Sequence, residues 1–337
     1  MIKLDERSIV YVACPALKKT GGTELAHQLV AELNSQGVEA YIYYYDWDNN
    51  GSSGINDEFR KYVSVFKVYD DILDNGDNLI IVPEINITLL DKFNELKKAI
   101  WWMSVDNYKK NNGIVNASHY YGIFKALKML LGGRIGLRQK LIPKECIHFY
   151  QSWYSKVFLE SNGIENLYEL SDYINDIFFS EDSSKITKEN IVLYNPKKGF
   201  SFTRKIIDKL VQQNVNLRCV PVENMSTEEV RNLLGKSKVY IDFGNHPGKD
   251  RFPREAAISG CCILTCKKGS ARYQQDVCIP EEYKFKDEDK NIDSIISTIK
   301  ICVNDYENKV KDFEEYREFI SKEHESFTNN VSKIFVE

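Results

Sequence analysis

Residues 8–45, SIVYVACPALKKTGGTELAHQLVAELNSQGVEAYIYYY, carry the pattern that decides the fold. The apolar run at residues 8–13 predicts a buried strand, and a turn-rich loop follows it. Residues 23–36 predict a helix that ends at Gly37, because their apolar side chains recur at helical spacing: Leu25, Leu29, Val30 and Leu33. A second apolar strand follows at residues 40–45. Strand, loop, helix and strand in this order predict the opening of a parallel, doubly wound α/β sheet.

The alternation of strands and helices continues through the first half of the chain. The patterns predict strands at residues 77–83, 99–103, 146–151 and 166–170, and helices at residues 88–98 and 152–162. Because apolar strands separated by helices are covered on both faces, this half is expected to be Rossmann-like.

A polar run within residues 177–189 has little to bury and predicts an interdomain linker. A second cycle follows, with strands at 190–194, 217–220, 239–243 and 261–265, and helices at 202–213, 226–236 and 253–259. Residues 292–337 are densely charged, with apolar positions at helical spacing, and predict an amphipathic helical tail. The second half is therefore expected to be Rossmann-like too.

Composition restricts the classes of function. The 337 residues carry a net charge of −4, so no global basic excess points to nucleic acid. No apolar run approaches the roughly 20 residues of a membrane span, and the charged start does not resemble a secretory leader, so we expect a soluble cytoplasmic protein. Eight scattered cysteines predict reduced core thiols rather than a zinc site.

Ligands of open α/β sheets bind at the carboxyl ends of the strands, so the loops that follow strands hold the candidate site residues. Gly21 and Gly22 let a backbone approach a ligand closely, although a simple tight turn is the alternative. Lys198, in the loop Asn195–Gly199 written NPKKG, suits a phosphate oxygen, although a solvated turn would look the same.

The loop after the 239–243 strand is the most informative, because it holds cations, glycines and a histidine before a helix that contains Pro253. Glu255 can accept both hydroxyls of a ribose, or merely offset the helix dipole. In the first half, Asp106 and Glu84 each follow a strand and could act on an acceptor hydroxyl, or cap a helix or turn. His246 is a third catalytic candidate, although a histidine there is more often a packing residue.

Residues 254–261, REAAISGC, resemble the donor-ribose helix of GT-B glycosyltransferases of the large retaining group, and Glu255 matches its glutamate. Lys198 matches the family's lysine that grips the donor diphosphate, and residues 20–24 resemble the family's glycine-rich first loop. The resemblance implies a GT-B fold, with two Rossmann-like domains facing across a cleft. It implies an acceptor domain at 1–176, a linker at 177–189, a donor domain at 190–310, and a closing helix at 311–337 that returns to the first domain.

Residues 100–108 and 240–255 resemble bacterial capsular and surface-polysaccharide glycosyltransferases. This likeness implies transfer of a sugar from a nucleotide diphosphate donor to a glycan acceptor, either free or lipid-linked, with retention or inversion left open. Cations and helix N-termini can neutralise the leaving diphosphate, so neither metal nor cofactor is expected. The expected donor-binding residues are Gly21, Gly22, Asn195, Lys198, Gly244, Lys249, Arg251, Glu255 and Ser270.

Two departures keep other functions open. Pro247 stands where the family has a second glutamate, which favours a catalytically inactive binding or scaffold protein. Leu193 and Tyr194 lie where the family has an arginine, a charge that Lys249, Arg251 or Arg204 could supply. Another two-Rossmann nucleotide-sugar enzyme is a further alternative, whereas the missing GxGxxG motif disfavours a nicotinamide oxidoreductase.

Residues 125–144 mix basic and apolar side chains. This pattern suits peripheral contact with an anionic membrane, at the inner face of the cell membrane, or with a lipid-linked phosphate. A solvated helix of the first domain is the alternative.

Overall fold

The computed structural model describes residues 2–47, 54–133, 135–179, 187–213 and 216–337. The chain forms two compact units: unit 1 comprises Met1–Asp172 and Glu325–Glu337, and unit 2 comprises Tyr173–His324. Most of the predicted linker, residues 180–186, lies outside the described residues. Ile174 is buried in the core of unit 2, which starts at Tyr173, so unit 2 already begins ahead of the predicted linker.

Unit 1 contains a seven-stranded parallel sheet with the order β3-β2-β1-β4-β5-β6-β7. The strands are β1 (Val10–Cys14), β2 (Ala40–Tyr44), β3 (Phe66–Lys67), β4 (Leu79–Pro83), β5 (Lys97–Trp102), β6 (Ile147–Tyr150) and β7 (Leu167–Glu169). The helices are α1 (Gly21–Ser35), α2 (Val105–Asn111), α3 (Ile114–Tyr121), α4 (Ile123–Leu131) and α5 (Trp153–Ser161). All residues of β1 and β4 are buried, as expected for a sheet covered on both faces. The strand order reverses between β1 and β4, where such sheets bind ligands.

The predicted helix at residues 88–98 is wrong. A 3₁₀ segment, Glu84–Lys92, is followed by extended backbone at Phe93, and β5 begins at Lys97. The cause is a loop held by Asp74, whose carboxylate accepts backbone N–H bonds from Asn94, Glu95 and Leu96 at 2.9–3.0 Å. Because one distant carboxylate satisfies these donors, the segment has no need of helical hydrogen bonds.

Unit 2 contains a five-stranded parallel sheet with the order β12-β11-β10-β8-β9. The strands are β8 (Glu189–Tyr194), β9 (Arg218–Pro221), β10 (Ser237–Asp242), β11 (Cys262–Cys266) and β12 (Lys284–Phe285). The helices are α6 (Phe200–Gln212), α7 (Thr227–Lys236), α8 (Arg251–Ile258), α9 (Ile292–Asn304), α10 (Tyr306–Lys309), α11 (Glu314–Ser321) and α12 (Glu323–Val331). The order reverses between β8 and β10, so the loops after these strands lie at the ligand-binding edge.

The tail is helical, as predicted, but it is divided into several helices. It breaks into α9–α12 around a 3₁₀ segment at Val310–Phe313, and a π-helix at Ser332–Val336 follows. The last residues pack into unit 1: the Ile2 N–H donates to the Ile334 carbonyl at 3.3 Å, and the rings of Phe149 and Phe335 lie 5.6 Å apart. The chain therefore leaves unit 1 and later completes it.

All eight cysteines are free and six are buried, which confirms the prediction of core thiols. Among the described residues, no helix combines the length and the apolar character needed to span a bilayer.

Candidate functional site

The glycine-rich loop of unit 1 is the first turn of α1. Thr20 caps this helix: its hydroxyl accepts the N–H of Thr23 at 3.2 Å, and its own N–H donates to the Thr23 hydroxyl at 2.8 Å. Gly21 and Gly22 are thus helical residues, and a Cβ on Gly22 would lie 3.5 Å from the sulfur of Met103. The start of α1 consequently lies beside the carboxyl end of β5.

Glu84 follows β4 at the same edge and is only 3% exposed. Its Oε2 accepts the N–H of Met103 at 3.1 Å. Burial raises the pKa of Glu84 to about 8, although backbone N–H groups of Met103, Glu84 and Ser104 act in the opposite direction. A carboxyl group with such a pKa can exchange a proton near neutral pH, as a general acid or base must.

Glu84 lines a cavity of about 940 Å³ in unit 1, a volume within the range of small-molecule sites. Its walls come from the Glu84–Lys92 segment, from α2 and from the chain after α4. The lining also includes six residues with amide or cationic side chains: Lys18, Asn86, Asn111, Asn112, Arg138 and Lys140. The cavity therefore combines one proton-exchanging carboxyl with three cations.

Asp106, the other carboxylate predicted for this edge, has a different environment. It lies in the first turn of α2, is 6% exposed, and accepts a hydrogen bond from the Tyr154 hydroxyl at 2.8 Å. It is not among the residues that line the cavity. Of the two carboxylates predicted for unit 1, the structure brings only Glu84 to the cavity.

In unit 2, three loops meet at the carboxyl edge of the sheet and approach so closely that glycine is required. Gly199 has a φ of +65°, and a Cβ there would lie 2.4 Å from the Phe243 carbonyl oxygen. A Cβ on Gly244 would lie 2.5 Å from Cγ of Lys198, and one on Gly269 would lie 1.8 Å from the His246 carbonyl oxygen. The loops after β8, β10 and β11 thus form one packed layer.

Four charged side chains converge in this layer. Nζ of Lys198 lies 3.1 Å from Oδ2 of Asp242 and also contacts Oδ2 of Asp250. Nδ1 of His246 lies 2.8 Å from the same Asp250 oxygen. We call Lys198, Asp242, His246 and Asp250 the ion cluster. Asp242 and Asp250 were not predicted as site residues, although their positions four residues before and after His246 could have indicated them.

The ion cluster sets the charge state of its members. Burial opposes the charge of His246, but Asp242 and Asp250 outweigh it and raise its pKa to about 10. Burial likewise opposes the charges of Lys198 and Asp250, yet the pKa of Lys198 lies above its ordinary value and that of Asp250 well below. Lys198 and His246 are therefore both cationic at neutral pH beside the Asp250 carboxylate, and Lys198 is still 23% exposed.

Asp242, His246 and Asp250 could also hold a metal ion, because their ligand atoms lie within 4.8 Å of one another. However, the ammonium group of Lys198 already contacts both carboxylates. The charge that a cation would supply is thus provided by the chain itself.

The remaining predicted donor residues differ in their surroundings. Lys249 is buried, with Nζ 2.9 Å from Oε1 of Glu323, and Arg254 contacts the other oxygen of Glu323 at 2.8 Å. Asn195 forms a local turn, accepting the Lys197 N–H at 3.0 Å, and Ser270 donates to the Gly248 carbonyl at 2.6 Å. These contacts hold the loops in place.

Two predicted residues lie on α8. Arg251 is half-buried at its start, and Glu255 is buried one turn later, at 8% exposure. The structure therefore groups Asn195, Lys198, Gly244, His246 and Ser270 at one edge and gives Lys249 a structural ion pair.

Two parallel sheets, each covered by helices, give the chain the GT-B glycosyltransferase fold, and this prediction is confirmed. A sucrose-phosphate synthase from Thermosynechococcus elongatus is 14% identical over 98% of both chains, with a TM-score of 0.63. TarM is 11% identical over 98% of this chain and 99% of its own, with a TM-score of 0.64. Anabaena HepE in complex with UDP and glucose is 9% identical over 96% of this chain and 98% of its own, with a TM-score of 0.60. No protein-family model matches the chain, and no curated protein is similar in sequence.

Proposed function

We propose that the chain is a glycosyltransferase that moves a sugar from a nucleotide diphosphate donor to a glycan acceptor, in the synthesis of a bacterial surface polysaccharide. The observation that carries the proposal is the ion cluster, which places Lys198 and His246 at the carboxyl edge of the unit 2 sheet in a chain with the GT-B fold. A lipid-linked glycan is the acceptor that would bring such an enzyme to the inner face of a membrane.

The donor diphosphate would bind at the start of α6. Gly199 precedes this helix and has no side chain to cap it. The N–H groups of Phe202 and Thr203 donate to the Gly199 carbonyl, so the N–H groups of Phe200 and Ser201 are the ones that would meet phosphate oxygens. Lys198 adds a partly exposed positive charge, and Glu255 would accept the ribose hydroxyls. Similar structures include HepE in complex with UDP-glucose and an α-glucosyltransferase in complex with UDP, which makes UDP-sugars the first donors to test.

The acceptor would bind in the unit 1 cavity. There Glu84 takes the proton of the acceptor hydroxyl as its oxygen bonds to the anomeric carbon of the sugar. The bond from that carbon to the diphosphate breaks, and the diphosphate leaves with the electron pair. Lys198, His246 and helix N-termini meet the developing negative charge, so we propose a reaction that needs neither metal nor cofactor.

Thermal shift with UDP, GDP, dTDP and their sugar conjugates tests donor binding, and donor hydrolysis by the purified protein tests chemistry. We expect one nucleotide family to raise the melting temperature and its sugar conjugate to be hydrolysed slowly. Glu255→Gln should remove the nucleotide-induced shift, whereas the exposed Glu228→Gln should retain it. A shift that persists in full in Glu255→Gln would exclude Glu255 from the ribose site.

A catalytically inactive binding protein is the second candidate. Lys198 already has two carboxylate partners, and Pro247 replaces a family glutamate, so the cluster has no excess positive charge. This candidate predicts a nucleotide-induced thermal shift without hydrolysis of any donor in the panel.

A further inference from the structure

The chain around α4 exposes an unusual amount of apolar surface. The large apolar side chains that are more than a third exposed include six between residues 123 and 141: Ile123, Phe124, Leu127, Leu131, Leu137 and Leu141. Phe124 is 87% exposed, Leu131 88% and Leu141 90%. We call residues 123–144 the basic apolar surface.

The geometry of α4 explains why these side chains do not fold inward. At about 100° per residue, Ile123, Leu127, Leu131 and Phe124 fall within one arc of about 100°. The adjacent side of the helix packs on a small cluster around Ala117 through Ala126, Met129 and Leu130. Lys128 and Lys125 occupy the remaining arc of the helix. The helix therefore has two apolar faces, and only one of them is buried.

The charges that this stretch of the chain contributes have one sign, and Asp91, outside the stretch, pairs with Lys140 at 3.0 Å. Between Asp106 and Glu145 the sequence has eight basic residues and no acidic one, in a chain whose net charge is −4. Arg134, one of the eight, lies outside the described residues. Five of the others are exposed on the basic apolar surface: Lys125, Lys128, Arg138, Lys140 and Lys144.

We propose that the basic apolar surface docks on the face of an anionic lipid bilayer. Its aliphatic and aromatic side chains enter the boundary between headgroups and acyl chains, and its lysines and arginine contact lipid phosphates. Nucleic acid would satisfy the cations but leave Phe124 and Leu131 in water. A bilayer meets both needs, because it offers an apolar interior beneath an anionic surface.

The docking surface is continuous with the unit 1 cavity. Gly133, Ile135, Gly136, Arg138 and Lys140 line that cavity and belong to the basic apolar surface. Docking would therefore bring the cavity wall to the headgroup layer. In a step that rests on the proposed function, the acceptor is a glycan anchored in the bilayer through a lipid phosphate, which Arg138 and Lys140 would contact.

Vesicle sedimentation tests the docking without reference to catalysis. The full chain is mixed with vesicles of equal parts phosphatidylglycerol and phosphatidylcholine, and with vesicles of phosphatidylcholine alone. We expect binding to the anionic vesicles that weakens at high salt, and at least tenfold weaker binding for Phe124→Asp/Leu131→Asp. The matched control, Val211→Asp/Ile301→Asp, changes two exposed apolar residues on helices of unit 2 and should bind within twofold of the wild type.

Circular dichroism melting confirms that both double variants fold. Equal vesicle binding by wild type and Phe124→Asp/Leu131→Asp would overturn the proposal. So would a concentration-dependent dimer, seen by analytical ultracentrifugation, that this variant abolishes, or retention of an oligonucleotide in place of vesicles. Donor hydrolysis should be unchanged in Phe124→Asp/Leu131→Asp, so a failure of docking is distinguishable from a failure of the proposed glycosyl transfer.

Discussion

At the residue scale, Glu84 is the side chain whose environment departs most from that of an ordinary surface carboxylate. It is buried at the end of β4, and among the described residues backbone N–H groups rather than a cation oppose the effect of its burial. Desolvation without a counter-charge keeps the proton on the carboxyl at neutral pH. The group can therefore serve as a base only where the pH approaches its raised pKa.

If Glu84 is the base, kcat/KM for sugar transfer should rise with pH and level off above a pKa of about 8. Glu84→Gln should lower kcat roughly 100-fold or more, because a positioned base contributes about that much. A pH–rate profile of purified protein measures both effects. Glu95→Gln, an exposed change in the same unit, should leave the profile unaltered. A profile that is flat between pH 6 and 9 would assign the base elsewhere.

The ion cluster makes a prediction about stability. The pKa of His246 is about 10 in the folded protein against an ordinary value of 6.5, so the folded state binds the proton more tightly. The resulting stabilisation is complete below about pH 6.5 and is lost as the pH rises towards about 10. Urea unfolding at a series of pH values should therefore show a falling free energy of unfolding over that window.

His246→Gln should flatten this slope, whereas His119→Gln, at an exposed position on α3, should not. The raised pKa of Glu84 also makes the free energy of unfolding fall with pH, between about pH 4.5 and 8. This contribution of Glu84 should remain in His246→Gln. An unchanged slope above pH 8 in His246→Gln would mean that the histidine is neutral in the cluster.

Sequence reasoning located several site residues but not their partners. Lys198, Gly244 and His246 follow parallel strands, so a common edge could be predicted from chain order alone. Lys249 and Lys198 look equivalent in the sequence. In the structure, however, Lys249 is buried in an ion pair with Glu323, which lies 74 positions later in the chain. Long-range pairing of this kind leaves no local signal, so the choice between the two lysines required coordinates.

At the scale of elements, the loops of unit 2 owe their close packing to glycines. Gly199 and Gly37 both have positive φ, but only Gly199 faces a neighbouring backbone, at Phe243. Gly37→Ala should cost about 1 kcal/mol, from backbone strain alone. Gly199→Ala adds a clash with a carbonyl and should cost about 3 kcal/mol. Urea unfolding of the two variants compares their free energies of unfolding directly. Equal losses of stability would show that the loop around Gly199 moves aside at no cost in free energy.

Elements with a full apolar repeat were predictable, and short or loop-held ones were not. The strands β1 and β4 can be predicted from the sequence, because each is a run of five apolar or small residues, all of them buried. β3 and β12 have two residues each, too few for any period, and they exist because a neighbouring strand offers them hydrogen bonds. The helix predicted before β5 does not form, because backbone N–H groups there donate to the carboxylate of Asp74, more than ten residues earlier in the chain.

At the scale of the whole molecule, the return of the chain to unit 1 predicts where a tail mutation acts. Phe335 is 5% exposed and packs on Phe149 of β6. Phe335→Ala should destabilise unit 1 by about 3 kcal/mol, through lost burial and the cavity left behind. Hydrogen exchange should then accelerate roughly 100-fold in β1 and β6, with β8 and β10 much less affected.

The neighbouring Val336→Ala is the control, because Val336 is 52% exposed and should change exchange little. Faster exchange in β8 and β10 alone would contradict the assignment of the tail to unit 1.

The division of the chain also sets an order of events at the ribosome. Glu325–Glu337 emerge only after every residue of Tyr173–His324, yet they belong to the first unit and Phe335 packs on its Phe149. The second unit, made of one unbroken stretch, can close while the first still lacks its last segment. The amino-terminal sheet, although synthesised first, is thus the later of the two to reach its final packing.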